Sequence, residues 1–419
     1  MSNPRDIFRQ SRDNIKRLGL SEIPFTESPP VQGENLNRIF TGREEELGKV
    51  FNLFQSRDRR RILVSGRLGI GKSAFVLEVL SALHDELPEM LTAYISLPPE
   101  LDLATTALIA LAREMPEDEW AQRQLYQMGI PTEKILKERG AEVGGSLGVS
   151  GKVTEKDLPI TNSLYPTISL ETLLDRALAK YSKGVLIAID DLDKQEPRRV
   201  RELMDNAQGM LKGRAWFILT AHPTAITSDW LSSERGLFDL QLPLNELDQP
   251  TTYKMLIRYL NSARIDNNCE DADDPRSVLP FLPETAKHFC EVSRGKPRLF
   301  NRLGNAVLSK AAELQAEQIT PEVLKKGLQT AQKTQSEQAA LKLQEKRILA
   351  LLQQKNELSD ETITIEDLEQ LGVRSYSEIV PILERLEDFD LAHQLNREDE
   401  TAYAPILLPA TAEEENNES

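Results

Sequence analysis

The sequence predicts an α/β fold built on a parallel sheet, followed by a mostly helical region and a small C-terminal domain. Three observations support this prediction. Short apolar runs alternate with amphipathic helical segments between residues 59 and 222, which is typical of a parallel sheet with helices on its faces. Beyond about residue 243 the apolar residues recur at helical spacing. Near the C-terminus, three helical segments precede two short β-prone stretches that flank residues 396–400.

The elements follow from the pattern of apolar residues. Helix 40–54 has three glutamates in its first turn, which supports its prediction because the helix dipole favours acids there. Helices and strands then alternate: helix 40–54, strand 59–66, helix 74–87, strand 91–97, helix 107–115, helix 170–183, strand 184–191 and strand 215–222. Residues 139–165 are rich in glycine and serine, and we interpret them as a β-hairpin or mobile insertion, with a plain flexible loop as the alternative.

The chain of 419 residues has room for two or three domains. We assign an N-terminal extension with a proline-rich linker, an α/β core, a helical lid, a winged-helix domain and a disordered acidic tail. Their bounds are residues 1–36, 37–242, 243–335, 336–410 and 411–419.

Composition excludes several function classes. The net charge is −16 with a pI near 5.0, which argues against indiscriminate nucleic-acid binding because an acidic chain repels phosphates. Cys269 and Cys290 are isolated, so neither a disulfide framework nor a zinc site is expected. The sequence contains no apolar leader and no long apolar run, so we expect a cytoplasmic protein without a membrane anchor.

Residues 66–73, GRLGIGKS, fit the phosphate-binding pattern G-x-x-x-x-G-K-[ST] and lie between a predicted strand and a predicted helix. The glycines let the chain curl so that backbone N–H groups point at phosphate oxygens. Lys72 is expected to contact the β- and γ-phosphates of ATP, and the Ser73 hydroxyl to bind Mg²⁺. The predicted nucleotide contacts are Gly66, Arg67, Leu68, Gly69, Ile70, Gly71, Lys72, Ser73 and Ala74.

A second apolar strand, residues 185–189, ends in paired acids. A buried parallel strand delivers such residues to the carboxyl edge of the sheet, where doubly wound sheets bind ligands. Asp190 is expected to hold Mg²⁺, and Asp191 to orient or deprotonate the attacking water. We predict that Asp193 caps the next helix.

Two further segments hold candidates for contacting the γ-phosphate. Within residues 216–223 an apolar strand ends in Thr220, with His222 two residues on, and a polar group there would sense the γ-phosphate between the two motif-bearing strands. Thr220 is our candidate, His222 is a second one, and a satisfied strand-end threonine is the alternative. Arg298 begins a helix within the GKPR segment and would fold back onto the same phosphate, unless it is simply a solvated arginine.

Together these motifs resemble the AAA+ ATPases, a class of P-loop NTPase, and among them the origin-recognition and Cdc6-like initiator branch and its bacterial relatives. STAND-type signalling ATPases share several of the features. The resemblance spans about residues 40–310, and it implies that the segment FTGREEEL, with Arg43, packs over the adenine side. It also implies that Arg235 acts as an arginine finger in a neighbouring subunit; an exposed loop arginine is the alternative reading of Arg235.

The resemblance implies ATP and Mg²⁺ as cofactors and a homo-oligomer as the working form. Two functions compete. One is a molecular switch that assembles on ATP and controls a partner or effector protein, as in STAND-type and antiphage-defence ATPases. The other is a DNA-associated initiator or loader ATPase. A nucleotide-binding scaffold with little turnover is a third, weaker possibility.

The DDLD and GxPR motifs and the order of elements in the predicted winged helix favour the initiator function, whereas the charge of the winged helix and of the whole chain favours the switch. The charged residues of its third helix, residues 375–389, are acidic except for one arginine, and the stretch at 396–400 is mostly acidic. Such a surface is poorly suited to meeting the phosphates of DNA. We therefore expect this domain to contact protein, either the ATPase itself or a partner.

Overall fold

The computed structural model describes residues 3–26, 28, 38–55, 60–131, 165–223, 237–266, 268–396 and 401–406. The predicted insertion at 139–165, apart from Tyr165, lies outside these residues, and so do Arg235 and the acidic tail. The described residues fall into two units: an α/β unit within residues 43–245, and a helical unit formed by the N-terminal segment up to Ser28, residues 38–42 and the chain from Glu246 onward.

The five strands of the sheet are interspersed with helices as far as β5, after which helices dominate. As far as β5 they are α1 (Pro4–Arg17), α2 (Glu44–Leu53), β1 (Arg61–Ser65), α3 (Lys72–Glu86), β2 (Met90–Ser96), α4 (Leu103–Arg113), α5 (Glu119–Gln127), α6 (Pro166–Leu178), β3 (Gly184–Asp190), α7 (Pro197–Leu211), β4 (Trp216–Ala221) and β5 (Leu240–Pro243). Then follow α8 (Gln249–Ala263), α9 (Pro283–Ser293), α10 (Pro297–Glu313), α11 (Pro321–Gln338), α12 (Leu343–Lys355), α13 (Ile365–Leu371), α14 (Val380–Asp388), β6 (Ala392–Asn396) and β7 (Thr401–Pro405). Among the described helices, none is both long enough and apolar enough to cross a membrane.

The predicted α/β fold is confirmed by the sheet of the first unit. Its five strands are parallel and lie in the order β2-β3-β4-β1-β5. Strand β3 is buried along nearly its whole length, which explains its continuous apolar sequence, because helices cover both faces of such a sheet. The strand order brings the carboxyl ends of β3, β4 and β1 side by side.

The helical unit has its own aromatic core. Phe25 stacks on Tyr259 with ring centroids 5.5 Å apart and meets the edge of Phe300 at 5.4 Å. A methyl group at Gly304 would lie only 2.5 Å from the Phe25 ring, so glycine is needed there for close packing. Residues 1–36 are predicted to form an extension and linker; in the structure, Phe25 lies inside this core together with Ile15, Leu18 and Leu20.

The C-terminal part of this unit contains three helices, α12 to α14, followed by the antiparallel pair β6–β7. Two buried ion pairs join the end of α14 to α10: Lys296, which precedes α10, pairs with Glu387 at 3.7 Å, and Arg302 pairs with Asp390 at 3.5 Å. Burial raises the pKa of Asp390, although Lys296, Arg302 and Arg298 act in the opposite direction. The helix and strand order is the one predicted, and its assignment as a winged helix stays a prediction.

Candidate functional site

The phosphate-binding motif forms the loop between β1 and α3. Its first backbone N–H, on Gly66, donates to the Ala221 carbonyl of β4 at 3.3 Å. Gly69 and Gly71 adopt φ values of 78° and 96°, a region that side chains disfavour. A methyl group at Gly66 would lie 2.8 Å from Cγ2 of Ile70. The loop therefore needs glycine for its shape, and it leads directly into α3 at Lys72.

Lys72 is buried, with 6% of its surface exposed. Its ammonium donates to the Gly66 carbonyl at 2.9 Å and to the Arg67 carbonyl at 3.0 Å. It also forms an ion pair with Oδ2 of Asp193 at 2.7 Å. An ammonium has three N–H donors, so these three acceptors match its whole donor capacity.

Asp190, at the end of β3, is held by three hydrogen bonds. Its Oδ1 accepts from the Asp191 backbone N–H at 2.9 Å and from the Thr220 hydroxyl, and its Oδ2 accepts from the Tyr94 hydroxyl at 2.7 Å. Burial and the charge of Asp190 raise the pKa of Tyr94, so its hydroxyl stays protonated and remains a donor. The carboxylate is thus fixed from the two neighbouring strands, β2 and β4.

Thr220 lies on β4 with no exposed surface. Besides donating to Asp190, its hydroxyl accepts the Asp191 backbone N–H at 3.0 Å. The side chain predicted to sense the γ-phosphate therefore holds the two acids of β3 in place. Its sensing role stays a prediction.

Asp191 and Asp193 differ in their partners. Asp191 adopts a left-handed backbone conformation with φ 67° and begins the short 3-10 turn Leu192–Lys194, and its carboxylate pairs with Lys194 at 2.8 Å. The prediction that Asp193 caps a helix is wrong: it lies inside that turn, and its carboxylate pairs with Lys72 instead. The left-handed conformation of Asp191 turns the chain so that Asp193 reaches Lys72 at the phosphate-binding loop. The spacing of apolar residues in the sequence does not indicate this turn.

Three arginines complete the set of predicted site residues. Arg43 donates to Glu46 at 3.3 Å and to the Asn245 carbonyl, so its guanidinium contributes to the packing of α2. Arg298 belongs to the helical unit, where it is exposed in the first turn of α10. Arg235 is outside the described residues. The nucleotide roles of all three stay predictions.

Sequence reasoning missed Tyr94 and Lys194. Tyr94 sits in β2 opposite Ala188 of β3, next to the acid-bearing end of that strand. The only signal in the sequence is a polar hydroxyl near the end of an otherwise apolar strand. Lys194 carries a weaker signal still, since a lysine near three aspartates is ordinary surface composition.

The residues present fit a magnesium ion. A carboxylate offers about four acceptor positions, and the three hydrogen bonds to Asp190 leave one of them, on Oδ2, for a metal-bound water. Ser73 is partly exposed in the first turn of α3. Within the described residues no group of three or more His, Cys, Asp or Glu side chains forms a metal-binding cluster.

Comparison with known proteins agrees with this geometry. Residues 39–211 match the family described as AAA ATPase domain. No curated protein sequence matches the chain. A Walker-type ATPase of Pyrococcus abyssi is 14% identical with a TM-score of 0.50, the match covering 91% of this chain and 97% of that chain, which shows a shared fold.

Two further structures are similar at lower scores. The Cdc6 protein of Pyrobaculum aerophilum is 15% identical, with a TM-score of 0.46 and coverage of 91% of this chain and 93% of that chain. The Orc1 protein of Aeropyrum pernix, solved in complex with DNA, is 13% identical, with a TM-score of 0.45 and coverage of 89% and 91%. The family match covers residues 39–211, which contain the phosphate-binding loop, Asp190 and Asp191, and over this stretch the chain is similar to AAA ATPase domains.

Proposed function

We propose that the α/β unit binds and hydrolyses ATP with Mg²⁺, and that nucleotide-dependent assembly of the chain controls a partner protein. One observation supports the ATPase activity above all others. The phosphate-binding loop with Lys72, the fixed carboxylate of Asp190 and the adjacent Asp191 meet at one edge of the sheet. This edge is where parallel α/β sheets bind their ligands.

Each side chain has a distinct role in this proposal. Lys72 and the N–H groups of the loop bind the phosphates, and Ser73 and Asp190 hold Mg²⁺, which would neutralise charge developing on the phosphate oxygens. Asp191 accepts the proton of the water that attacks the γ-phosphorus, and ADP leaves. The Thr220 hydroxyl keeps Asp190 and Asp191 in register through its two hydrogen bonds.

Replacing Asp191 by asparagine separates binding from hydrolysis. Asparagine keeps the size of the side chain but accepts no proton, so we expect turnover to fall by about 10²-fold or more. ATP affinity should change little, because Lys72 and the loop remain. A coupled phosphate-release assay and calorimetric titration measure the two quantities.

Asp205→Asn is the matched control, because it makes the same chemical change at an exposed position of α7. Wild-type turnover in the Asp191 variant would contradict the assigned role. It would favour a scaffold that binds nucleotide and hardly turns it over.

The charge of the C-terminal domain supports a protein partner. The exposed residues at α14 include Glu378, Glu384 and Asp388, and the nearby Arg385 is paired with Glu345 at 2.7 Å. This surface repels DNA phosphates and suits a basic protein surface. Antiphage defence is one setting for such a switch, and the resemblance to STAND-type ATPases supports it.

Assembly is tested by native mass spectrometry with ADP and with a non-hydrolysable ATP analogue, each with and without duplex DNA. We expect a defined homo-oligomer with the ATP analogue only, independent of DNA. An oligomer that forms only with DNA would favour the initiator or loader function. A monomer under every condition would contradict assembly and the predicted role of Arg235.

A further inference from the structure

The partners of Lys72 set up a competition within the site. All three donors of its ammonium are matched by protein acceptors: two carbonyls of the phosphate-binding loop and the Asp193 carboxylate. Phosphate oxygens that bind the same ammonium must take the place of one acceptor. The two carbonyls belong to the loop itself, whereas Asp193 is a side chain on a separate turn, so Asp193 is the acceptor that can leave.

Electrostatic interactions also favour Asp193 as the acceptor that competes with the phosphates. The Lys72–Asp193 pair is buried, with side-chain exposures of 5% and 6%. A carboxylate that stayed beside Lys72 would face the phosphates at short range with little water to screen the repulsion. A buried carboxylate that left Lys72 would lose its counter-charge, which is also unfavourable. Either way, Asp193 opposes the binding of phosphates.

We propose that Asp193 is an internal competitor of the nucleotide phosphates for Lys72 and thereby sets the nucleotide affinity of the site. The proposal rests on the proposed ATP-binding function. Its chemistry is that of a carboxylate mimicking a phosphate oxygen: the same ammonium takes either anion. The apparent affinity equals the intrinsic affinity multiplied by the fraction of molecules in which Asp193 does not hold Lys72.

The competition makes a prediction about which nucleotides respond. Lys72 is expected to contact the β- and γ-phosphates, so removing the Asp193 carboxylate is expected to strengthen the binding of ADP and ATP. AMP has neither phosphate and gains nothing. Lys194 lies in the same turn as Asp193 and pairs with Asp191. A change at Asp193 can therefore alter hydrolysis through Asp191, so nucleotide binding is the quantity to measure.

The test is calorimetric titration of the full chain with ATP, ADP and AMP for the wild type and for Asp193→Asn. Asparagine preserves shape and removes the charge. If Asp193 holds Lys72 in most molecules, we expect ATP and ADP to bind about tenfold more tightly, with AMP unchanged. Asp193→Ser serves if the asparagine variant does not fold, and Asp205→Asn controls for the loss of one negative charge.

The outcomes separate this proposal from the one on which it rests. ATP and ADP affinities that are unchanged or weaker in the Asp193 variants, while the wild type binds both, overturn the competition alone. An equal gain for AMP also overturns it, because the effect would then not act through Lys72. A wild type that binds none of the three nucleotides overturns the ATP-binding function itself.

Discussion

Replacing Lys72 by methionine is expected to abolish measurable ATP binding and to destabilise the α/β unit by about 3–5 kcal/mol, since it leaves the buried Asp193 carboxylate without its counter-charge. Methionine keeps the length of the side chain, so the packing of α3 is largely preserved. Titration with ATP measures the first effect, and denaturant unfolding monitored by circular dichroism measures the second.

The double variant Lys72→Met/Asp193→Asn distinguishes the two effects. It removes the unpaired charge, so stability should recover while binding stays lost. Lys49→Met is the surface control: the Lys49–Glu45 pair on α2 is exposed, and its loss should leave binding and stability unchanged. Wild-type ATP affinity in the Lys72 variant would contradict the assignment of the phosphate-binding loop.

Replacing Thr220 by valine is expected to slow ATP hydrolysis by about 10–100-fold, the usual effect of losing a partner that orients a functional carboxylate. Valine has nearly the same shape and fills the same buried space on β4. It removes both the donor to Asp190 and the acceptor of the Asp191 N–H. ATP affinity should change little, because Lys72 is untouched, and the Mg²⁺ concentration for half-maximal turnover should rise.

Thr220→Ser restores the hydroxyl and should recover most of the turnover. If serine is as slow as valine, the methyl group and not the hydroxyl matters, and the orienting role is wrong. A γ-phosphate sensor would behave differently: the valine variant would lose its preference for ATP over ADP while its Mg²⁺ requirement stayed the same.

The strands and the phosphate-binding loop could be predicted because their signals are local. Residues 185–189 form a continuous apolar run since both faces of a parallel sheet are covered. The glycines at 69 and 71 reflect left-handed backbone conformations, and the glycine at 66 reflects a close approach of Ile70. Asp190 and Asp191 at the end of β3 were placed correctly at the sheet edge because a strand fixes the direction in which its end points.

Contacts between distant segments could not be predicted in this way. Whether Asp193 caps a helix or binds Lys72 depends on the left-handed turn at Asp191, which the sequence does not indicate because non-glycine residues seldom adopt it. Tyr94 reaches Asp190 only because β2 pairs with β3 in a particular register. Phe25 lies in a polar N-terminal segment, and its partners are hundreds of residues away.

The contact of Phe25 with Tyr259 and Phe300 bears on the order in which the chain can fold during synthesis. Domains generally fold as units while the ribosome extends the chain. Phe25 is made before the whole α/β unit, whereas Tyr259 and Phe300, which enclose it, are made afterwards. The α/β unit can thus complete its sheet while Phe25 is still uncovered, and an aromatic residue made early is among the last to leave water.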